Sequence, residues 1–284
     1  MRNFQEVEGL DLDTALKAVD FPVVKEDLQT EAGQKVCRSL LTRTDTGEKL
    51  GIVSSKRPIL RYGEMVETLT EEFARAGLSY KLRESSLYGK HHNLYQEYLF
   101  DQEIESPDGE EMSPMAIIRG SYVGAPMNLN FGSFRFTCKN GAMIGKVVGQ
   151  IKIGAKAERI LSSSLRDDIQ YNLNRFATVS QLYKKLEEES MHPYLQLIFA
   201  DAYVSTGIKK LVLESMQENG YVSILKEKVR KEDFGKDLKE LFEVKQEVSA
   251  WVLYNVMTAV ATHKPRTAQG RFMGYKQISQ IFGI

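Results

Sequence analysis

The sequence has few of the features that would place it in a specialised class. It contains only two cysteines among 284 residues, Cys37 and Cys138, too few for a disulfide framework and without histidines at zinc-site spacing. We expect both to be buried, reduced thiols in a cytoplasmic protein. No run approaches about 18 consecutive apolar residues, and the first twenty residues are acidic, so we expect neither a membrane span nor a signal peptide.

A net charge is also absent. Lysine plus arginine and aspartate plus glutamate number 38 each, so bulk charge predicts no polyanionic partner, and any such surface must come from local clustering. With 42% hydrophobic and 10% aromatic residues, the chain can nevertheless bury a substantial core.

Catalytic signatures are missing as well. The glycines at 141, 145 and 149 are not followed by the Gly-Lys-Ser/Thr ending of a phosphate loop, and no nucleophile elbow, kinase or deaminase motif is present. His91 and His92 are adjacent, so on a strand they would point to opposite faces, and no third ligand has usable spacing. We therefore expect a protein that is not an enzyme and that holds no metal. A catalytic His92 or His263 would require a deep pocket beside it.

The most regular local pattern lies between Asn128 and Gly145. Phe134 and Phe136 alternate with polar residues, and this period of two predicts a half-buried strand. The adjacent residues 140–141 are Asn-Gly, which is typical of a type I′ turn. The apolar, glycine-containing segment 146–153 is then expected to form the next strand.

The N-terminal half predicts an antiparallel sheet with a helix on one face. Met65, Leu69 and Phe73 recur at helical spacing before a glycine stop, and Asp45-Thr46-Gly47 is a turn signal. The expected strands are 37–44, 49–54, 78–87, 94–104, 115–122, 127–138 and 146–153, with helices at 13–19 and 62–76.

The C-terminal half predicts helices. Apolar residues at helical spacing indicate helices over 158–186, with a break near 177–180, and over 195–203, 207–219, 222–231, 234–242 and 244–263. The predicted fold class is therefore α+β: a twisted antiparallel sheet with a packed helix in residues 1–155, and a mostly helical region in residues 156–284. The change near residue 155 is a change of class and does not require a hinge.

One face of the last predicted helix carries four polar residues. Asn255, Thr258, Thr262 and His263 stand at i, i+3, i+7 and i+8 and therefore share that face. They are either a seam that satisfies buried backbone and the helix end, or a recognition face for a ligand or partner.

Basic residues cluster in two places. The first cluster lies around phenylalanines 131, 134 and 136, and the second follows Glu247, beyond which there is no acidic residue. Backbone charge combined with aromatic stacking is typical of single-stranded nucleic-acid binding. Alternatively, the phenylalanines are core and the lysines are ordinary solvated positions. The candidate contacts are Arg135, Lys139, Lys146, Lys152, Lys156 and Arg159 in the first cluster, and Lys264, Arg266 and Arg271 in the second.

The central stretch from Gly132 to Gly141 reads Gly-Ser-Phe-Arg-Phe-Thr-Cys-Lys-Asn-Gly. With this motif it resembles the phage- and plasmid-encoded family called domain of unknown function 932, of the YfjQ and YafZ type. Members typically show a Gly-x-Phe-Arg-x-x-Cys-x-Asn-Gly core, and the C-terminal polar face is similar to the family's Asn-x-x-Thr and His ending. In the loop 119–124, Gly120 and Val123 stand where the family tends to have Asn and Asp. The residues that carry the resemblance are Gly132, Phe134, Phe136, Cys138, Asn140 and Gly141, followed by Gly149 to Ile153, together with Asn255, Thr258, Thr262 and His263.

The resemblance implies a protein of a mobile element that acts inside the host cell without a cofactor. Our first hypothesis is that it binds nucleic acid, most naturally single-stranded DNA in replication or recombination, and that it is a homo-oligomer. The alternative is an anti-defence protein that binds and inhibits a host immune complex through the acidic N-terminal part, the loop 105–111 or the C-terminal face. Strand binding requires exposed lysines on one side, whereas an inhibitor would show a contiguous apolar or acidic patch.

Overall fold

The structure is a computed structural model that describes residues 8–90, 92–124, 127–135, 140–143, 150–153, 163–201, 204–235, 238–264 and 267–283. Antiparallel sheets with a packed helix form the N-terminal half and helices dominate the C-terminal half, which confirms the α+β class. No helix in the described ranges is both long and apolar enough to cross a membrane.

The chain forms two compact units, each built from separate segments. The first unit comprises Met1–Glu103, Ser113–Gly132 and Val148–Arg175, and the second comprises Ile104–Met112, Ser133–Val147 and Phe176–Ile284. The segment 148–175 groups with the N-terminal strands. The change of class near residue 155 therefore does not coincide with the division between the units.

The first unit begins with a short helix and a three-stranded sheet. Helix α1 (Leu12–Val19) is capped by Asp11, whose carboxylate accepts from the Thr14 amide at 2.9 Å, and its bounds lie within one residue of the predicted range 13–19. Strands β1 (Val23–Gln29), β2 (Lys35–Arg43) and β3 (Lys49–Ser54) follow in the order β1-β2-β3, all antiparallel. Strands β2 and β3 and the turn at Gly47 were predicted, whereas β1 was not. Cys37 lies on β2 and is exposed, so the expectation of a buried thiol there was wrong.

A helix of the first unit packs against the larger sheet. Helix α2 (Tyr62–Arg75) ends before Gly77, whose φ of 73° is the left-handed conformation expected at a helix stop. Its Phe73 is fully buried and meets the rings of Tyr98 and Phe100 edge-on, with centroids 5.6 and 5.1 Å away. Aromatic contacts of this geometry hold the helix on the sheet.

The strand order of this sheet is antiparallel throughout where the register is described. Strands β4 (Tyr80–Tyr88), β5 (Asn93–Phe100), β7 (Glu111–Gly120), β8 (Met127–Arg135) and β10 (Gln150–Ile153) run in the order β10-β8-β7-β5-β4. The short β6 (Ile104–Glu105) pairs with β7, and β9 (Asn140–Met143) pairs with β8. Nearly every residue of β5 is buried, so both of its faces are covered.

The expected turn at residues 140–141 was wrong. Asn140 and Gly141 are the first two residues of β9 and pair with β8, so strand pairing overrides their turn propensity. The predicted strand residues Phe136, Thr137, Cys138 and Lys139 lie outside the described residues. Gly132 and Phe134 are both buried in β8.

The helix predicted over 158–186 is divided into α3 (Ser163–Asn174), of the first unit, and α4 (Phe176–Glu188), of the second. The break that was expected near 177–180 lies at Arg175. The second unit continues with α5 (His192–Ala200), α6 (Thr206–Glu218), α7 (Ala250–His263) and α8 (Ala268–Phe282). Helix α8 was not predicted. It starts where the Thr267 hydroxyl accepts from the Gly270 amide at 3.1 Å, and it ends at left-handed Gly283.

Two predicted helices of the second unit were wrong. Within residues 222–231 the structure has β11 (Val222–Ile224), and residue 242 begins β12 (Phe242–Val244), which pairs with β11. Between them lie two short 3-10 turns, 231–235 and 238–240. The pairing joins residues about twenty positions apart, which a local helical pattern cannot reveal.

Candidate nucleic-acid interface

The structure describes only part of the predicted interface. Lys139, Lys146, Lys156, Arg159 and Arg266 lie outside the described residues. Lys152 is described through its backbone, which pairs with Asn128 in β10, the outermost strand of the sheet order. The side chains of Arg135, Lys264 and Arg271 are described.

Arg135 belongs to an internal ion cluster of the second unit. Its guanidinium binds the carboxylates of Asp108, at 2.5 Å, and Glu110, and its side chain is only 12% exposed. The guanidinium carbon also lies 5.6 Å from the centre of the Trp251 ring. Two carboxylates already balance this charge, so the prediction that Arg135 contacts a nucleic acid does not agree with its surroundings.

Asp108 is the centre of this cluster. Its carboxylate accepts hydrogen bonds from Ser106 Oγ at 2.7 Å and from Trp251 Nε1 at 3.0 Å. Burial alone would raise the pKa of Asp108, but these two hydrogen bonds and the charge of Arg135 together lower it below its usual value. The carboxylates of Asp108 and Glu110 are therefore committed to internal contacts, which weakens the loop 105–111 as an acidic docking surface.

A tyrosine pair continues the polar network of the second unit. The Tyr183 hydroxyl lies 2.6 Å from Ser133 Oγ and 3.2 Å from the Tyr254 hydroxyl, and both tyrosines are buried. Burial raises the pKa of Tyr183 to about 12, so it stays neutral. The Trp251 ring packs on both, with centroid distances of 4.8 and 5.4 Å. These contacts satisfy buried polar groups and hold the core in one arrangement.

The polar face of α7 is largely internal. Thr258 Oγ1 donates to the Asn255 carbonyl at 2.9 Å, and Thr262 Oγ1 donates to the Thr258 carbonyl at 2.8 Å. Thr262 also lies 3.1 Å from the Tyr275 hydroxyl of α8. His263 is exposed at the C-terminal end of α7, where a cation is favoured. The two threonines therefore fit the structural interpretation of this face.

Helices α7 and α8 form a close pair without acidic residues. Residues 248–284 include four basic side chains, Lys264, Arg266, Arg271 and Lys276, and no aspartate or glutamate. Lys264 and Lys276 are exposed, and Arg271 is half-buried. A Cβ on Gly274 would lie 2.8 Å from the Ala261 Cβ, so a glycine is needed for this approach. We call this helix pair the cationic hairpin.

The first unit exposes an apolar strip on its three-stranded sheet. Leu40 pairs with Ile52 across β2 and β3, and with Glu26 across β1 and β2, so these positions share one face. Val24, two residues from Glu26, is 40% exposed and Ile52 is 55% exposed. Leu40 is half-buried between them. We call Val24, Leu40 and Ile52 the apolar strip.

One histidine of the adjacent pair is described. His92 Nε2 lies 2.7 Å from Glu48 Oε2, and His91 lies outside the described residues. Within the described ranges, no group of three or more His, Cys, Asp or Glu side chains could hold a metal ion.

Comparison with protein-family models, with curated proteins and with solved structures gave no match. The resemblance given above therefore rests on its quoted motifs alone.

Proposed function

We propose that the chain is a non-enzymatic nucleic-acid-binding protein of a phage or other mobile element that holds single-stranded DNA during replication or recombination. The observation that carries this proposal is the cationic hairpin. Its exposed Lys264 and Lys276 have no acidic residue on the same two helices to neutralise them. Because phosphate contacts dominate the affinity of such proteins, a cationic helix pair without acidic residues favours a polyanionic strand.

The lysines around β10 also support this proposal. Lys152 stands on β10, the outermost strand in the order of the larger sheet, and the sequence on both sides of it adds lysines 139, 146 and 156. Arg135 is no longer among the proposed contacts, because its charge is balanced within the second unit. The proposed contacts are therefore the cationic hairpin together with Lys139, Lys146, Lys152, Lys156 and Arg159.

The test is binding of fluorescent single- and double-stranded oligonucleotides over a range of salt concentrations. We expect wild-type protein to bind the single strand with strong salt dependence. In Lys264→Gln/Lys276→Gln, affinity should fall, and the salt-dependence slope should decrease by roughly 0.7 for each phosphate that the variant no longer neutralises.

The matched control is Lys185→Gln. Lys185 is an exposed lysine of the same unit, but it lies 3.4 Å from Glu189, so its charge is already paired. This variant should bind like wild type. A wild-type protein that binds no oligonucleotide at low salt would contradict the proposal.

A second candidate function is inhibition of a host immune complex by direct binding. The apolar strip favours it, because exposed apolar residues that cluster on one face often mark a protein interaction site. The strip is built from strands β1 to β3 and therefore offers a rigid surface.

Ile52→Asp tests this second candidate. Because the side chain is exposed, we expect thermal unfolding to stay close to that of wild type. Proteins captured from host lysate by immobilised wild type should be lost with this variant and retained with Tyr171→Asp, a control at an exposed position of the same unit. Equal capture by Ile52→Asp and wild type would exclude the strip as the docking site.

A further inference from the structure

The second unit contains a cavity of about 1240 Å³. Its walls are helix α5, the start of helix α6 and the segment 225–244, which includes β12. Small-molecule sites commonly measure roughly 300–1,000 Å³, so this volume can hold a ligand of nucleotide size with its water.

The cavity is lined by more cations than anions. Lys209, Lys231 and Lys239 line it, together with one carboxylate, Glu243. The Glu243 carboxylate binds Lys245 Nζ at 2.6 Å, and Lys245 lies outside the lining. Glu243 therefore already has a cationic partner, and lysines outnumber carboxylates in the lining, which favours an anionic ligand.

Lys209 is the most enclosed of these cations. The residue is 7% exposed, and its Nζ donates to the Phe199 carbonyl at 2.7 Å. Among the described residues this is its one hydrogen bond, and an ammonium has three donors, so two can still serve a ligand. Burial lowers the pKa of Lys209, while the Asp201 carboxylate acts in the opposite direction. An anion bound beside Nζ would favour the charged form further.

The first turn of α6 adds a second attraction for an anion. Ser205 and Thr206 line the cavity at the N-terminus of this 13-residue helix, and the Ser205 hydroxyl caps it by accepting from the Ile208 amide at 3.3 Å. The amides of a helix N-terminus point outward and carry partial positive charge, so they attract phosphate groups. Lys209 lies one turn further along the same helix.

The remaining wall is aromatic. The rings of Phe199 and Phe234 stack nearly parallel, 5.3 Å apart with an interplanar angle of 7°, and Phe242 packs 5.9 Å from Phe199. All three line the cavity. An apolar wall of this kind complements a planar, weakly polar group better than a sugar or a carboxylate alone.

We propose that this cavity binds a nucleoside monophosphate, either as a free nucleotide or as the 5′-phosphorylated end of a strand. The phosphate lies between Lys209 and the N-terminus of α6, with Lys231 at the opening, and the base lies against the phenylalanine wall. Lys231 is exposed and pairs with no carboxylate in the described part of the chain. The proposal does not depend on the cationic hairpin.

Isothermal titration of the full chain with AMP, UMP, adenosine and inorganic phosphate tests the proposal. AMP or UMP should bind, whereas adenosine, without the phosphate, and phosphate, without the base, should each bind at least about tenfold more weakly. Lys209→Met keeps the aliphatic stem and removes the charge, and it should weaken nucleotide binding at least about tenfold. Lys210→Met, on the same helix but outside the lining, is the matched control and should not change binding.

Lys231→Gln is a second test variant in case Lys209→Met does not fold, because substitution at the exposed Lys231 should leave folding intact. Lys231→Gln should also weaken nucleotide binding. Absence of binding by both nucleotides, equal binding of phosphate and AMP, or unchanged binding in Lys209→Met would each overturn the proposal. Displacement of AMP by a 5′-phosphorylated but not a 5′-hydroxyl oligonucleotide would assign the strand end as the ligand. If Lys264→Gln/Lys276→Gln binds AMP as tightly as wild type does, the nucleotide site is distinct from the cationic hairpin.

Discussion

Trp251→Ala is expected to lower the free energy of unfolding of the second unit by about 3–5 kcal/mol, the usual cost of removing a buried tryptophan. Trp251 is 2% exposed, packs on Tyr183 and Tyr254, and donates its indole N–H to Asp108. The substitution therefore leaves a cavity and removes one donor of the ion cluster. Native-state hydrogen exchange of the α4 and α7 amides measures the effect within this unit.

Two comparisons make the tryptophan prediction specific. Trp251→Phe keeps a ring but removes the indole N–H, so it should cost less, about 1–3 kcal/mol for the missing hydrogen bond and the smaller ring. Met273→Ala, at a 44% exposed position of α8, should change stability by less than about 0.5 kcal/mol. Protection of the α7 amides that is equal in Trp251→Ala and wild type would show that this ring is not a packing centre.

Phe73→Ala should have an effect of similar size in the first unit, about 3–5 kcal/mol. Phe73 is fully buried and links α2 to the sheet through edge-on contacts with Tyr80, Tyr98 and Phe100. Its truncation removes the principal aromatic packing between the helix and these strands. Hydrogen exchange of the β4 and β5 amides reports the destabilisation.

The control for Phe73 is Tyr171→Ala, which removes an equally large ring from a 60% exposed position of the same unit. It should leave β4 and β5 protection unchanged. If the two variants exchange at the same rate, the packing of α2 on the sheet does not determine the stability of these strands.

The sequence predicted elements whose pattern is local. Helix α2 shows its buried stripe and its glycine stop within sixteen residues, and β2 and β3 are joined by a clear turn signal. Helix α6 likewise matches its predicted range to within one residue at each end. In these segments, local propensity and tertiary packing favour the same structure.

The secondary-structure elements that are stabilised by partners distant in the sequence were not predicted. Strand β1 reads Val-Val-Lys-Glu-Asp-Leu-Gln, too charged to stand out as a strand, and its extended form is supported by pairing with β2. Strand β11 was mistaken for a helix because its partner β12 lies beyond two 3-10 turns. Helix α8 could have been found from Thr267 at its start and Gly283 at its end, although its apolar stripe is interrupted by small residues.

The site was harder to predict than the fold for the same reason. The sequence shows Arg135 among basic residues and next to phenylalanines, but its carboxylate partners lie 25 and 27 positions earlier in the chain. The cavity cannot be recognised in the sequence either, because its lysines and phenylalanines are spread over helices, turns and a strand from residue 199 to residue 242. The sequence shows where the basic residues are, but it does not show which of them form ion pairs with carboxylates.

The discontinuity of the second unit has a consequence for how the protein is made. Asp108 precedes its hydrogen-bond partner Trp251 by 143 residues, and at about 5–20 residues per second a ribosome needs roughly 7 to 30 s to cover that distance. During this interval the nascent loop 104–112 lacks the indole that caps its carboxylate. The first unit, whose last segment ends at Arg175, is fully synthesised well before the second. The second unit can therefore be completed only after the first unit has been synthesised. Its loop 104–112 stays without the Trp251 hydrogen bond until then.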